Sequence, residues 1–157
     1  MKKSFLIMLI INICFILSIN ADFDNSQDIG SPGRIGSTNE ANGTYTIEGG
    51  GNDIWNTSDK FHFTSQQVSG NGEIICRVDS LDNTHKWAKA GLMFRESLSA
   101  NSKNVLVFMR PDKKVTMQYR DTTGVRSYNL TPGSSTGDQV NAKWLKLVRF
   151  GNSFTGS

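Results

Sequence analysis

Cysteine is nearly absent from this chain. The 157 residues contain only Cys14 and Cys76, and Cys14 lies in an apolar N-terminal run typical of an export signal. A chain that keeps a single thiol forms no intrachain disulfide, so a disulfide framework is excluded. Cys76 lies in the strand-like run 72–78, where a cysteine usually serves as a small hydrophobic side chain. We therefore predict that Cys76 is buried and chemically inert.

A dominant charge of one sign is also missing. The chain has 17 basic and 14 acidic residues, a net charge of +3. Lys2 and Lys3 belong to the N-terminal run, so without them 15 basic residues face 14 acidic ones, a net charge of +1. Nucleic-acid binding requires cations clustered on one face. We expect no nucleic-acid partner.

The N-terminal run has the features of a secretory signal. Lys2 and Lys3 precede the apolar stretch 5–17, and Ala21 offers a small residue before a cleavage point. The stretch is short for a membrane-spanning helix, although an uncleaved anchor is the alternative. We predict a signal peptide at 1–21 and one domain at 22–157, with no stable membrane span after cleavage. The expected location is extracellular, or periplasmic in a bacterium.

Helical periodicity is absent beyond that run. Short segments alternate between apolar and polar residues, and turn residues such as Gly70-Asn71-Gly72 separate them. The segments that read as strands are 44–48, 60–67, 73–81, 87–96, 105–109, 115–120, 125–130, 144–150 and 153–156. Residues 22–43 are polar and read as a loop. The pattern predicts an all-β, antiparallel sandwich.

The segment 87–96 is the clearest strand and is expected near the middle of the sandwich. Its apolar face carries Ala88, Ala90, Leu92 and Phe94, and its mixed face carries Lys89, Gly91, Met93 and Arg95. We expect the first face to be buried and the second to be solvated, with Gly91 leaving room above the backbone.

Several motifs in order resemble a family of secreted laminin-G-like domains in the concanavalin A-like lectin/glucanase superfamily. They are Asp28-Ile29-Gly30-Ser31-Pro32-Gly33, Gly51-Asn52-Asp53-Ile54-Trp55, Phe61-His62-Phe63, Gly72-Glu73-Ile74-Ile75, Trp87-Ala88-Lys89-Ala90-Gly91-Leu92-Met93-Phe94-Arg95-Glu96, Trp144-Leu145-Lys146-Leu147-Val148-Arg149 and Gly151-Asn152-Ser153-Phe154-Thr155-Gly156. The resemblance covers roughly residues 28–157 and implies a jelly-roll sandwich. In that family the last motif continues into a further hairpin, so the resemblance implies that residues 22–157 lack the last strand or strands.

Catalytic and metal-binding patterns find little support. A retaining glycosidase needs two carboxylates about 5–5.5 Å apart, but no strand carries acids at positions i and i+2. Facing acids on paired strands remain open. The segment Asp22–Asp28 begins like a calcium loop, but Gln27 and Gly33 stand where that loop needs glycine and glutamate. We predict no enzyme activity, no metal and no cofactor.

A polar ligand face is the best positive candidate. We assign ligand binding to five residues: Lys89, Arg95, Gln118, Arg120 and Trp87. The competing interpretation, which tryptophan burial favours, is that the tryptophans belong to the core and the cations to a solvated sheet face. Asn42, Asn56 and Asn129 are N-glycosylation acceptors if the source is eukaryotic.

The sequence thus leads to three hypotheses. The first is an exported, non-catalytic binding module for carbohydrate or a cell-surface glycoconjugate. The second is a structural or adhesive domain that contacts protein. The third is a glycosidase-like enzyme.

Overall fold

The computed structural model describes the strands at residues 4–8 and 15–17 by their backbone, and residues 23–130 and 144–157 in full. These residues form fourteen strands: β1 (Ser4–Met8), β2 (Phe15–Leu17), β3 (Asn25–Ile29), β4 (Ser37–Ala41), β5 (Thr44–Glu48), β6 (Phe61–Ser65), β7 (Gln67–Ser69), β8 (Gly72–Val78), β9 (Ala90–Arg95), β10 (Asn104–Met109), β11 (Val115–Arg120), β12 (Tyr128–Asn129), β13 (Trp144–Phe150) and β14 (Ser153–Gly156). The described residues contain no helix, so the all-β prediction is confirmed.

All strand pairs are antiparallel. The first sheet has the order β12-β11-β10-β9-β1-β7, and the second has the order β14-β13-β8-β2-β5-β4. The strands β3 and β6 form a separate pair, and β6 continues into β7 after the single residue Gln66. Through this continuity the β3–β6 pair is attached to the edge of the first sheet.

The main core lies between the two six-stranded sheets. Alternate residues of β9, among them Leu92 and Phe94, pack against Ile74 and Cys76 of β8 and Leu147 of β13. All of these are at most 2% exposed. The predicted burial of Ala90, Leu92, Phe94 and Cys76 is therefore confirmed, whereas Ala88 precedes the strand and is only half-buried.

The mixed face of the central strand is also buried, so the prediction of a solvated face is wrong. Met93 of β9 packs with Leu106 and Phe108 of β10 in a second cluster, which Phe61 and Phe63 of β6 cover. The sequence pattern missed this layer because the strand pair that provides it contains β3, a segment with little alternation. As a result β9 is buried at every position from Ala90 to Arg95.

Gly91 permits the close pairing of β9 with β10, so the expected room above it is not there. A Cβ atom at Gly91 would overlap the carbonyl oxygen of Val107 and lie 2.6 Å from the Cα atom of Phe108. Phe108 is the residue that Gly91 faces in the strand register. The glycine thus makes space for its partner strand and leaves no gap for a ligand.

Several boundaries differ from the sequence prediction. The supposed loop 22–43 contains β3 and β4, which pair with β6 and β5 through the backbone although their side chains are mostly polar. The strand expected at 87–96 begins only at Ala90, and that expected at 125–130 shrinks to β12. Polar strands held by ladder hydrogen bonds have no hydrophobic period to reveal them.

The first two strands lie inside the sheets. The strand β1 pairs with β9 on one side and β7 on the other, and β2 pairs with β8 and β5. Both strands come from the segment that the sequence predicts to be a signal peptide. Among the described residues, no helix has the length and apolar character needed to cross a membrane.

Candidate functional site

The segment before β9 borders two neighbouring cavities. The first, here called the tryptophan cleft, has a volume of about 420 Å³ and is lined by Trp55, Trp87, Lys89, Phe108, Arg110 and Gln118, together with Asp53, Thr116 and Asn129. The second, here called the glycine-loop cavity, has a volume of about 330 Å³ and lies beside residues 49–54, Lys60 and residues 87–89. Asp53, Trp87 and Lys89 line both.

The alternation of the first sheet supplies the floor of the tryptophan cleft. Phe108 of β10 and Thr116 and Gln118 of β11 lie on the face of the sheet that looks away from the main core. The connection between β5 and β6 crosses this face and contributes Asp53 and Trp55. A flat sheet face becomes a cleft because that connection and Trp87 rise at its sides.

Lys89 lies at the centre of the site, with its side chain only 8% exposed. Its ammonium group forms an ion pair with Asp53, donates to the carbonyl oxygen of Ile54 at 3.3 Å and donates to the amide oxygen of Gln118 at 3.4 Å. It also lies 5.1 Å from the centroid of the Phe108 ring. Burial lowers the pKa of Lys89 from its ordinary value, and the carboxylate of Asp53 opposes that shift.

Gln118 links the floor of the cleft to its wall. The residue is 1% exposed, and its amide nitrogen donates to the carbonyl oxygen of Ile54. Lys89 and Gln118, both assigned to ligand binding from the sequence, therefore share one hydrogen-bonded network. Both residues line the tryptophan cleft.

The tryptophans are not core residues, contrary to the interpretation favoured from the sequence. Trp87 is 51% exposed, and Trp55 is half-buried at the wall of the cleft. The guanidinium of Arg110 lies 5.0 Å from the ring centroid of Trp87, and the ammonium of Lys86 lies 5.8 Å from it. Such cation–π contacts contribute about 0.5–1 kcal/mol at exposed sites and favour this orientation of the ring.

Arg95 and Arg120 belong to a buried ion cluster and not to the tryptophan cleft. Their guanidinium groups both contact the carboxylate of Asp59, at 2.6 Å and 2.5 Å, and all three side chains are 0% exposed. Burial lowers the pKa of Arg95, and Asp59 opposes the shift. Because the covering layer removes both cations from solvent, we withdraw them from the candidate ligand-binding set.

One polar arrangement was missed from the sequence. The Nδ1 atom of the buried His62 lies 2.7 Å from Asp28 Oδ1, and its Nε2 atom lies 3.0 Å from the hydroxyl of the exposed Ser26. The hydroxyl of Thr38 also lies 3.2 Å from Nε2. The register explains the cluster, because Asp28 pairs directly with His62 across β3 and β6. Neither the tryptophan cleft nor the glycine-loop cavity includes these residues.

A third cavity, of about 510 Å³, lies at one end of the sandwich. Phe94, Val105, Tyr119 and Phe154 give it a largely apolar lining, and Arg120 also borders it. It lacks the exposed tryptophans that distinguish the tryptophan cleft.

The three glycosylation acceptors, Asn42, Asn56 and Asn129, are all exposed. Asn129 also lines the tryptophan cleft, so a glycan there would compete with any ligand of the cleft.

Among the residues that the structure describes, no group of three or more His, Cys, Asp or Glu side chains is placed to hold a metal ion. The start of the calcium-like segment at Asp22 lies outside the described residues.

Comparison with protein-family models, with curated proteins and with solved structures finds no significant match for this chain.

Proposed function

We propose that this chain is an exported, non-catalytic module of the concanavalin A-like jelly-roll type that binds carbohydrate or a glycoconjugate in the tryptophan cleft. The observation that carries the proposal is that Trp55 and Trp87 line the same cavity as Lys89 and Gln118. The resemblance of the chain's motifs to laminin-G-like domains supports the fold and the setting. The N-terminal run of basic and then apolar residues supports export.

The chemistry of the cleft suits a sugar. A pyranose ring presents C–H groups on its faces and hydroxyls around its edge, so it needs aromatic faces and polar side chains together. Tryptophan combines a large apolar face with a polar edge. The cleft provides such rings beside Asp53, Thr116 and Asn129, and its volume falls within the roughly 300–1,000 Å³ of small-ligand sites.

A glycan array probed with the full 157-residue chain, followed by titration of any bound glycan, tests this function. Trp87→Ala removes an exposed ring from the cleft, and we expect it to weaken binding by at least about tenfold. Trp144→Ala is the matched control, because Trp144 is 54% exposed but lies on β13 and lines neither the tryptophan cleft nor the glycine-loop cavity. No binding to any glycan at high concentration, or equal losses in both variants, would refute the proposal and favour an adhesive or structural domain.

A second candidate function, acyl transfer with Ser26 as nucleophile, is supported by the geometry around His62. Carboxylate, imidazole and hydroxyl are within hydrogen-bond reach in the order that a serine hydrolase uses. A fluorophosphonate probe tests it, since attack of the serine oxygen on phosphorus displaces fluoride and passes the proton to His62. Labelling of the wild type but not of Ser26→Ala would support this candidate. Absence of labelling in the wild type, with a known serine hydrolase as positive control, would exclude it.

A further inference from the structure

Positive charge is concentrated around the candidate site. Lys60 lines the glycine-loop cavity, and Lys89 and Arg110 line the tryptophan cleft. Two further cations stack on its aromatic rings: Lys86 on Trp87, and Arg126 at 5.8 Å from the ring centroid of Trp55. Five cations therefore surround a site whose ion-paired carboxylates are Asp53 and Asp112.

The two carboxylates leave part of this charge uncompensated. Asp53 pairs with Lys89, and Asp112 pairs with Arg110 at 3.1 Å. Lys60, Lys86 and Arg126 form no ion pair with an acid in the described part of the chain. The chain as a whole is nearly balanced, with 17 basic and 14 acidic residues. The local excess is thus a property of this surface.

The two cavities adjoin at one ion pair. Asp53 and Lys89 line both of them, so the pair forms a boundary that a ligand reaches from either side. Each cavity is large enough to hold a small ring. A chain of linked rings would therefore extend from one cavity to the other past Trp87.

We infer that the ligand is an anionic oligosaccharide of at least two residues, whose carboxylate or sulfate groups are recognised by Arg110, Arg126 and Lys86. This inference rests on the proposed carbohydrate-binding function and specifies its ligand. Arg110 and Arg126 present planar guanidinium groups that can bind an oxyanion through two hydrogen bonds. Arg110 lies over the ring of Trp87 and Arg126 over the ring of Trp55, so both charges lie beside the aromatic lining of the cleft.

Titration calorimetry with the full chain tests the inference. The probes are a uronic-acid tetrasaccharide, its carboxyl-reduced neutral counterpart, and a sulfated tetrasaccharide. We expect at least one acidic probe to bind at least about tenfold more tightly than the neutral one, and its affinity to fall as salt increases. The variants Arg110→Gln and Arg126→Gln should each weaken binding of the acidic probe about three- to tenfold more than they weaken binding of the neutral probe.

Arg34→Gln is the control, because Arg34 is an exposed arginine that pairs with Glu48 and lines neither cavity. Equal affinity for neutral and acidic probes, with no effect of either arginine variant, overturns the inference and leaves the proposed function standing. Failure of every probe and of the glycan array overturns both. The relative affinities of the uronate and sulfated probes identify which anion is recognised.

Discussion

Asp59 binds Arg120 through both carboxylate oxygens. The Oδ1 atom accepts from Arg120 Nη2 at 2.5 Å, and the Oδ2 atom accepts from Arg120 Nη1 at 2.8 Å. The same Oδ2 atom accepts from Arg95 Nη1 at 2.6 Å and from Asn104 Nδ2 at 3.3 Å. One carboxylate therefore compensates two buried guanidinium groups and ties the β5–β6 connection to strands β9, β10 and β11.

Replacement of Asp59 should be strongly destabilising. Asp59→Asn leaves Arg95 and Arg120 without their counter-charge in a buried setting, and we expect a loss of about 3–5 kcal/mol in the free energy of unfolding. Asp112→Asn removes the partner of Arg110 on the surface and should cost less than about 1 kcal/mol. Urea titration of both variants measures the difference. Similarly small losses of unfolding free energy in the two variants would show that Asp59, Arg95 and Arg120 are accessible to solvent.

Phe94 should contribute to the main core as a large buried aromatic. It is 2% exposed, and its ring lies 5.9 Å from that of Phe154 across the sandwich. Phe94→Ala should cost about 3–5 kcal/mol, because the truncation leaves a cavity. Phe150→Ala is the control, since Phe150 is 73% exposed and should be nearly neutral. Equal midpoints for both variants in a denaturant titration would contradict the assignment of faces.

Lys89 should give the protein a measurable pH dependence. Its pKa in the folded state lies below the ordinary 10.5, chiefly because of burial. Below the folded pKa both folded and unfolded states carry the proton, and the folded state bears the desolvation cost. As pH rises from the folded pKa to 10.5, the folded state releases its proton first, so the contribution of Lys89 to stability increases with pH.

We therefore expect the stability of the wild type, relative to Lys89→Met, to rise between pH 7 and pH 10.5. Urea titrations of both proteins at the two pH values measure it, because other titrating groups largely cancel in the difference. A constant difference between wild type and Lys89→Met would contradict the burial of the ammonium group.

Removal of residues 1–21 should change the state of association. It deletes β1 and β2, which leaves β9 and β7 without the strand between them, and likewise β8 and β5. Unpaired strand edges bind strands of other chains. We expect the 22–157 protein to self-associate, whereas the 157-residue chain sediments as a monomer. A monomeric 22–157 protein with a cooperative melt would show that the sheets close without these strands and that cleavage after Ala21 is compatible with the fold.

The sequence predicted those strands that carry a hydrophobic period. Thr44–Glu48, Val115–Arg120, Trp144–Phe150 and Ser153–Gly156 begin and end where the alternation indicates. It failed at Asn25–Ile29, where a polar strand is held by its ladder with β6. The alternation of apolar and polar residues shows which face of a strand is buried in the core. It does not show which distant segment of the chain covers the opposite face.

The same limit explains the outcome at the candidate site. Lys89 and Gln118 were proposed because they alternate with apolar residues in the predicted strands 87–96 and 115–120, and Trp87 because aromatic residues stack on sugars. Arg95 satisfied the same pattern as Lys89 but does not line the tryptophan cleft, because its guanidinium group pairs with the buried Asp59. Asp59 itself carried no signal, since its role depends on three strands that meet only in the folded chain.

The pairing of β8 with β13 has a consequence for the order in which the protein folds. Arg77 of β8 pairs with Trp144 at the beginning of β13, and the four intervening strands, β9 to β12, belong to the first sheet. The β9–β10–β11 meander, by contrast, pairs neighbours in sequence. Because closing long loops slows folding, the meander should form while the ribosome is still synthesising the chain. The second sheet can be completed only when β13 and β14 emerge, and until then part of the apolar face of the meander is exposed to chaperones.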